Sequence, residues 1–421
     1  MKLNQTAKQF KIPKRLVWEA YLKVRRNKGS AGVDGVTMKA FQEHEGKFLY
    51  ELWNRMSSGS YFPQAVRLVE IPKGSGKGKT RPLGIPTITD RIAQQAVVML
   101  LEPRVDPLFH EDSYGYRRGR SAHQALEQAR RRCWKFDWVL DLDISRFFDT
   151  IDHKLLIKAV KLHVQESWVL LYIERWLKVP YQLGDGKQVA RTAGVAQGSV
   201  IGPILANLYL HYTLDLWVKR KFSHVSFERY SDDCLYHFHT QEEAKFMQEQ
   251  IRGRLAECGL TLNEEKTRIV YCKDDNRKGS HENEKFDFLG YTFRTRLSRN
   301  RYGRFFLNFS PAISNKSKTR VGREIRSWKL HQRTDKTLEE LAKMFNARLR
   351  GFIMYYGKFC KSEMNPIFYR LNYRLGHWVS RKFKRFRRHK QRALLFLGRI
   401  CSQNPGLFAH WSFGVRPPET K

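Results

Sequence analysis

The stretch Trp138–Ile144, WVLDLDI, constrains the fold of this chain most tightly. Its alternation sets Asp141 and Asp143 on one face and Leu140, Leu142 and Ile144 on the other, which is the period of a half-buried β-strand. Helical patterns surround it. RIAQQAVVMLLEP reads as a buried helix, and another begins near Ala122. A two-faced strand among helices implies an α+β domain whose sheet is half covered by helices.

A second stretch, FERYSDDCLYHF (227–238), reads as a hairpin with Asp232 and Asp233 at its turn. These acids stand in a chain with 78 Lys+Arg against 41 Asp+Glu, a formal charge of +37. Such an excess is self-repelling unless a polyanion meets it, so nucleic acid is the expected partner. With 421 residues, 41% of them hydrophobic, the chain can bury a large core in two or three domains.

The six cysteines form no C-x-x-C pair and no zinc pattern with histidine, and they read as reduced thiols of a cytoplasmic protein. The start of the chain lacks the apolar region of a secretion signal. No run reaches the roughly 18 apolar residues of a membrane span.

Along the chain, residues 1–60 form an N-terminal extension, helical at both ends around the glycine-rich loop NKGSAGVDG. Residues 61–310 hold strand–turn–strand (AVRLVEIPK, GSGKGK, TRPLGIPT), the buried helix, the basic loop YGYRRGRS and the acidic strands. From 311 to 421 strand signals vanish and the chain is helical, aromatic and basic. GSGKGKT resembles a phosphate-binding ATPase loop, but that pattern needs glycine where Lys73 stands, which excludes it.

An acidic pair in a turn is ordinarily solvated turn chemistry. Here Asp143 follows a strand and Asp232–Asp233 sit on a hairpin, and three carboxylates together cost roughly several kcal/mol unless a cation neutralises them. Oxygen-only ligands suit Mg2+, and a pair of such ions is the recurring device for attack at phosphorus. The pattern points to a nucleotidyl transferase inside a basic nucleic-acid channel.

RYSDD resembles the Y-x-D-D box of reverse transcriptases. The ordered blocks AGVDGVT, RLVEIPKGSGKGKTRPLGIPT, DSYGYRRGRSAHQAL, VLDLDISRFFDTIDH, GVAQGSVIGPILANLYL, CGLTLNEEKTRIV and FDFLGYTF are similar to those of group II intron-encoded reverse transcriptase/maturases. LRGFIMYYGKF and the terminal LFAHW resemble the maturase or thumb region of that family. The resemblance implies a right-hand polymerase, fingers and palm over 61–310 and an all-α thumb/maturase region over 311–421. It makes Asp143, Asp232 and Asp233 the catalytic ligands of two Mg2+ ions, with Mn2+ a substitute. Nucleotide-binding roles fall on Arg67, Lys73, Arg81, Phe148, Gln197, Gly198 and Lys266. Phe148 is the ring that excludes a 2′-hydroxyl; Lys266 supports the palm or the phosphates, or pairs with Glu264 or Glu265. Ser231 stands where the family usually has alanine, and Ala196 where it usually has proline.

Arg374, Arg381, Arg385 and Arg388 fall at helical spacing, i, i+7, i+11 and i+14, making one cationic stripe, and phosphate contact is the expected role. Tyr355, Tyr356, Trp378 and Phe386 are rings for core packing or base stacking. The Cys and His residues of an H-N-H endonuclease do not follow, so second-strand cleavage is not expected of this chain. The implied function is RNA-directed DNA polymerase and maturase, with group II intron RNA as template, a DNA primer or target, and dNTPs. A domesticated reverse transcriptase in phage defence or DNA repair, or an RNA-binding splicing cofactor with an idle polymerase, stand as alternatives.

Overall fold

The computed structural model describes residues 8–72 and 80–419. The chain divides into two compact units, Met1–Ala125 with Leu140–Ile269, and Leu126–Val139 with Val270–Lys421.

In chain order, α1 (Lys14–Arg26), α2 (Met38–Glu43) and α3 (Glu45–Ser58) precede the strands β1 (Val66–Pro72) and β2 (Thr80–Ile85). These pair antiparallel, Arg67 opposite Ile85 and Ile71 opposite Arg81. The apolar run read as a buried helix is α4 (Ile88–Val105), with Ile92, Ala93, Ala96 and Val97 fully buried. Thr87 starts it: its Oγ1 accepts from Asp90 N at 3.1 Å and donates to Asp90 Oδ2 at 2.7 Å, satisfying an orphan N–H of the first turn. Next come α5 (Ala122–Lys135), β3 (Trp138–Leu142), α6 (Phe147–Thr150), α7 (His153–Lys161) and α8 (Ser167–Lys178). Two short strands, β4 (Tyr181–Gln182) and β5 (Gln188–Val189), then extend the first sheet to the order β2-β1-β4-β5, β4 lying parallel to β1. At two residues each they show no periodicity, so no sequence pattern announces them.

A single helical rod follows: α9 (Gly202–Leu210), one π-helical turn (His211–Asp215) and α10 (Leu216–Lys221). Carbonyls freed by the wide turn are met by Arg254, which donates from Nε to Thr213 O at 3.0 Å and from Nη2 to Tyr212 O at 3.1 Å. The strands β6 (Ser226–Tyr230) and β7 (Asp233–Phe238), the helix α11 (Gln241–Glu257) and the strand β8 (Arg268–Tyr271) complete the acidic sheet, ordered β6-β7-β3-β8. Its central strand keeps the alternation read from the sequence. Leu140, Leu142 and Ile144 are buried, while Asp141 and Asp143 are half-buried. Burial of one such aliphatic side chain contributes about 1.5–3 kcal/mol, which fixes the face the carboxylates occupy.

The second unit carries the antiparallel strands β9 (Lys285–Phe288), β10 (Tyr291–Arg299) and β11 (Phe305–Ile313), ordered β11-β10-β9. After Ile313 the described residues form helices: α12 (Asn315–Ser327), α13 (Leu338–Tyr356), α14 (Asn365–Lys382), α15 (Lys390–Gln403) and α16 (Ala409–Ser412). Asn372 on α14 ties down the terminal segment. Its Oδ1 accepts from Trp411 Nε1 at 2.9 Å and from His410 Nε2 at 2.7 Å, and its Nδ2 donates to Val415 O at 3.1 Å. Burial holds the His410 imidazole down to about 3, so it is neutral and Nε2 is the donor.

The arginine stripe is not one helical face. α14 ends at Lys382, and Phe383 takes extended backbone angles, φ −109° and ψ 115°. Arg385 lies on a 3-10 turn (Lys384–Phe386), and Arg388 is left-handed at φ 70°. Aromatic packing breaks the helix: Phe383 and Phe386 both pack on Phe396 of α15, with ring centroids 5.8 and 5.0 Å away. The Arg385 guanidinium lies over the Phe386 ring at 4.7 Å. Arg374 and Arg381 remain on α14. Trp378 and Tyr356 are buried, as core rings.

Candidate active site

Tyr230 and Asp233 close the β6–β7 hairpin as a pair, leaving Ser231 and Asp232 as its turn. Ser231 is left-handed at φ 62°, an unfavourable state for a residue with a Cβ. Arg229 holds it there. This side chain is fully buried, and Nη1 donates to Ser231 O at 3.1 Å and to Asn207 Oδ1 at 2.9 Å. Nε and Nη2 clasp Asp215 at 2.8 and 2.6 Å, and Nη2 also reaches Ser113 Oγ at 2.8 Å. Asp215 closes the π turn of the preceding rod, so the widened turn supplies the buried counter-charge. An unpaired buried charge would be prohibitive; here every Arg229 nitrogen has a partner.

The loop after Asp112 braces the same turn from outside the hairpin. Tyr114 N donates to Arg229 O at 2.8 Å, Arg229 N donates to Asp112 O at 2.9 Å, and Asn207 Nδ2 donates to Gly115 O at 2.7 Å. Gly115 packs flat on the turn backbone, where a Cβ would collide with Ser231 N. Glycine is required there for close approach.

Asp143 follows β3 directly. Its Oδ2 accepts from Asn263 Nδ2 at 2.9 Å, and Lys266 Nζ straddles both oxygens at 3.0 and 2.8 Å. Lys266 therefore pairs with the catalytic-type acid and not with its sequence neighbours; Glu264 is held by Arg252 at 2.9 Å. Asp233 retains a solvent-facing edge, but protein crowds its carboxyl. Desolvation first, then the Asp232 and Asp143 charges, push it up to about 7, while Lys266 and Arg81 pull it down. The three acids thus share one electrostatic site at one end of the sheet.

Among the described residues no three His, Cys, Asp or Glu side chains form a ready-made metal cage. The donor set is nonetheless all hard oxygen, mutually repelling and already neutralised in part by an ammonium on Asp143. That chemistry fits a divalent cation such as Mg2+. The described cysteines are all free thiols, only Cys360 exposed, and Cys234 Sγ donates to Asp232 O at 3.9 Å.

Of the other residues singled out, Arg81 lies exposed on β2 with its charge felt at Asp233 and Tyr116. Arg67 is half-buried on β1, its Nε buried without a partner. Lys73 lies outside the described residues. Phe148 is half-buried, edge-on to Phe147 at 5.2 Å, and its carbonyl accepts from Val195 N at 2.7 Å. Gln197 O accepts from Gly84 N at 2.7 Å, and Gly198, at φ 104°, lies so near β2 that a Cβ would meet Gly84 O at 2.6 Å. The Gln197–Gly198 loop is thereby fastened to β2, and Ala196 packs with Val66 and Val179.

Several contributors escaped the sequence reading. Arg229, Asn207 and Gly115 carry no local signal, since their partners come from distant segments. Asn263 could have been found from its i, i+3 spacing to Lys266 in one turn. Tyr116 is a further neighbour, left-handed at φ 57° and 58% exposed; burial of its hydroxyl and then Asp232 raise its pKa.

A family described as reverse transcriptase (RNA-dependent DNA polymerase) matches residues 71–293, and one described as group II intron, maturase-specific domain matches 318–394. Protein YkfC of Escherichia coli K12 is 33% identical over 309 residues, covering 65% of this chain and 77% of that protein. Group II intron-encoded protein LtrA of Lactococcus lactis subsp. cremoris is 36% identical over 219 residues, 51% of this chain. A putative COX1/OXI3 intron 1 protein of Saccharomyces cerevisiae is 25% identical over 323 residues, 65% of this chain. The matched stretches span 36% of LtrA and 37% of the yeast protein.

Proposed function

The chain belongs to the reverse transcriptase family and carries a group II intron maturase-specific domain, and on that premise we propose that it copies RNA into DNA by a two-metal-ion mechanism. The observation that carries this reading is the convergence of Asp143, from the end of β3, with Asp232 and Asp233, from the β6–β7 turn. Two Mg2+ ions, with Mn2+ a substitute, would supply Lewis-acid stabilisation of the attacking and leaving oxygens at phosphorus. Asp143, Asp232 and Asp233 are the residues to hold them.

The protein's own groups do the rest. Lys266 neutralises Asp143 before substrate arrives. Arg81 stands near the acids and, with Lys73 and Arg67, supplies cationic donors for the triphosphate. Phe148 presents its ring to the incoming sugar and excludes a 2′-hydroxyl. The Gln197–Gly198 loop, fastened to β2, shapes the nucleotide side. Arg374 and Arg381 on α14, with Arg385 and Arg388 beyond it, contact RNA phosphates. The template is group II intron RNA, the primer or target DNA, the substrates dNTPs and the setting the cytoplasm. The described residues contain no helix long and apolar enough to cross a membrane.

Primer extension on an RNA template with Mg2+ and dNTPs tests the reading, with Asp232→Ala/Asp233→Ala protein as control. DNA synthesis by the wild type alone is the expected result. Silence from both, with RNA binding intact, would overturn the polymerase assignment and leave an RNA-binding splicing cofactor.

A further inference from the structure

The β10–β11 hairpin extends well past the core that anchors it. Cross-strand partners share a face, so Tyr291, Phe293, Ile313, Pro311 and Phe309 line one surface and continue outward as Leu297, Leu307, Arg299 and Phe305. Near the base this surface is fully packed: Tyr291, Phe293 and Phe309 are 0% exposed. Toward the tip it is bare, with Leu297 67%, Phe305 62% and Tyr302 77% exposed. Apolar surface left in water costs about 25 cal/mol per Å² relative to burial. A core role would have covered it.

Charge says what covers it. From Tyr291 to Ile313 the hairpin has five arginines and no acid. The two nearer the base, Arg294 and Arg296, are paired with Glu363. Arg299, Arg301 and Arg304, at the tip, have no carboxylate partner among the described residues. Arg301 lies over the Tyr302 ring at 4.7 Å and Arg299 over Phe305 at 5.7 Å. A second copy of this chain would bring a further +37 to this basic tip. Arg299 Nε donates to Gly303 O at 3.0 Å and Arg301 Nη2 to the Tyr302 hydroxyl, but exposed rings flanked by guanidinium groups with no carboxylate to neutralise them match a strand that offers both phosphates and open base faces.

We propose that the tip of the β10–β11 hairpin is a binding site for unpaired nucleotides, Tyr302 and Phe305 stacking on bases and Arg299, Arg301 and Arg304 meeting phosphates. Its residues are other than those of the acidic turn and than the arginines of α14 and beyond. It does not depend on the polymerase assignment.

The probe is a fluorescein-labelled 20-nucleotide single-stranded RNA, followed by anisotropy across a salt series. Tyr302→Ala/Phe305→Ala should weaken binding about fivefold or more while leaving the salt slope unchanged, because stacking carries no counterion term. Arg299→Gln/Arg301→Gln/Arg304→Gln should flatten the slope by about two units, at roughly 0.7 per single-strand phosphate contact. Turnover at saturating RNA–primer should stay at the wild-type level in both. Since the changed side chains are exposed, unaltered circular dichroism and melting are expected as folding controls. Unchanged affinity and slope in folded variants would overturn the proposal and leave a protein partner for this surface. Wild type that binds RNA through this tip but extends no primer would sink the polymerase reading alone.

Discussion

Replacing Arg229 by methionine removes the guanidinium that links four segments of the first unit. Asp215, itself fully buried, is left as an uncompensated charge, and Asn207 Oδ1, Ser113 Oγ and Ser231 O each lose a donor. Removing one partner of a buried pair costs about 3–5 kcal/mol, a large share of the roughly 5–15 kcal/mol that stabilises a typical domain. Asp215→Leu made in the same chain removes the orphaned charge, and such apolar replacements of both partners are often nearly neutral. The double variant should therefore recover most of the lost stability in urea unfolding. It should not recover primer extension, since Ser231, at φ 62°, still lacks the donor that pins its carbonyl and the acids beside it lose their fixed position. A loss below about 1 kcal/mol in the single variant would refute the burial argument. Wild-type turnover in the double variant would refute the claim that Arg229 positions the turn.

Gly115→Ala places a methyl against Ser231 N and should lower both primer extension and stability, the latter by roughly 1–3 kcal/mol in urea unfolding; full activity at wild-type stability would show that the loop yields. Phe148→Ala should admit ribonucleotides, read as the ratio of rNTP to dNTP incorporation, and unchanged sugar selectivity would remove it from the gate role. His410, held down to about 3 against an ordinary 6.5, takes a proton only on unfolding, so stability should fall as pH drops from about 6.5 toward 3. The slope from this residue is roughly 1.4 kcal/mol per pH unit. In a urea series His410→Gln should lose that slope, and an unchanged one would place the acid sensitivity elsewhere.

The sequence by itself determined the acidic sheet and the identity of its carboxylates. WVLDLDI becomes β3 with its leucines buried, FERYSDDCLYHF becomes the β6–β7 hairpin with Asp232 in the turn, and the run RIAQQAVVMLLEP falls within α4. These readings succeed because period-2 and period-3.6 burial are local: each side chain's face follows from its neighbours a few positions away. Tertiary structure decided the rest. Lys266 turned from the adjacent glutamates to Asp143, 123 positions away, because the palm brings that carboxylate within reach and Arg252 had taken Glu264. The arginine spacing promised one continuous face, but packing of Phe383 and Phe386 on Phe396 broke the helix at Lys382. Arg229 reads as surface charge in a basic chain, yet it is buried because the π turn carries Asp215 to meet it. Burying a charge requires a partner, and only the fold determines which distant residue arrives.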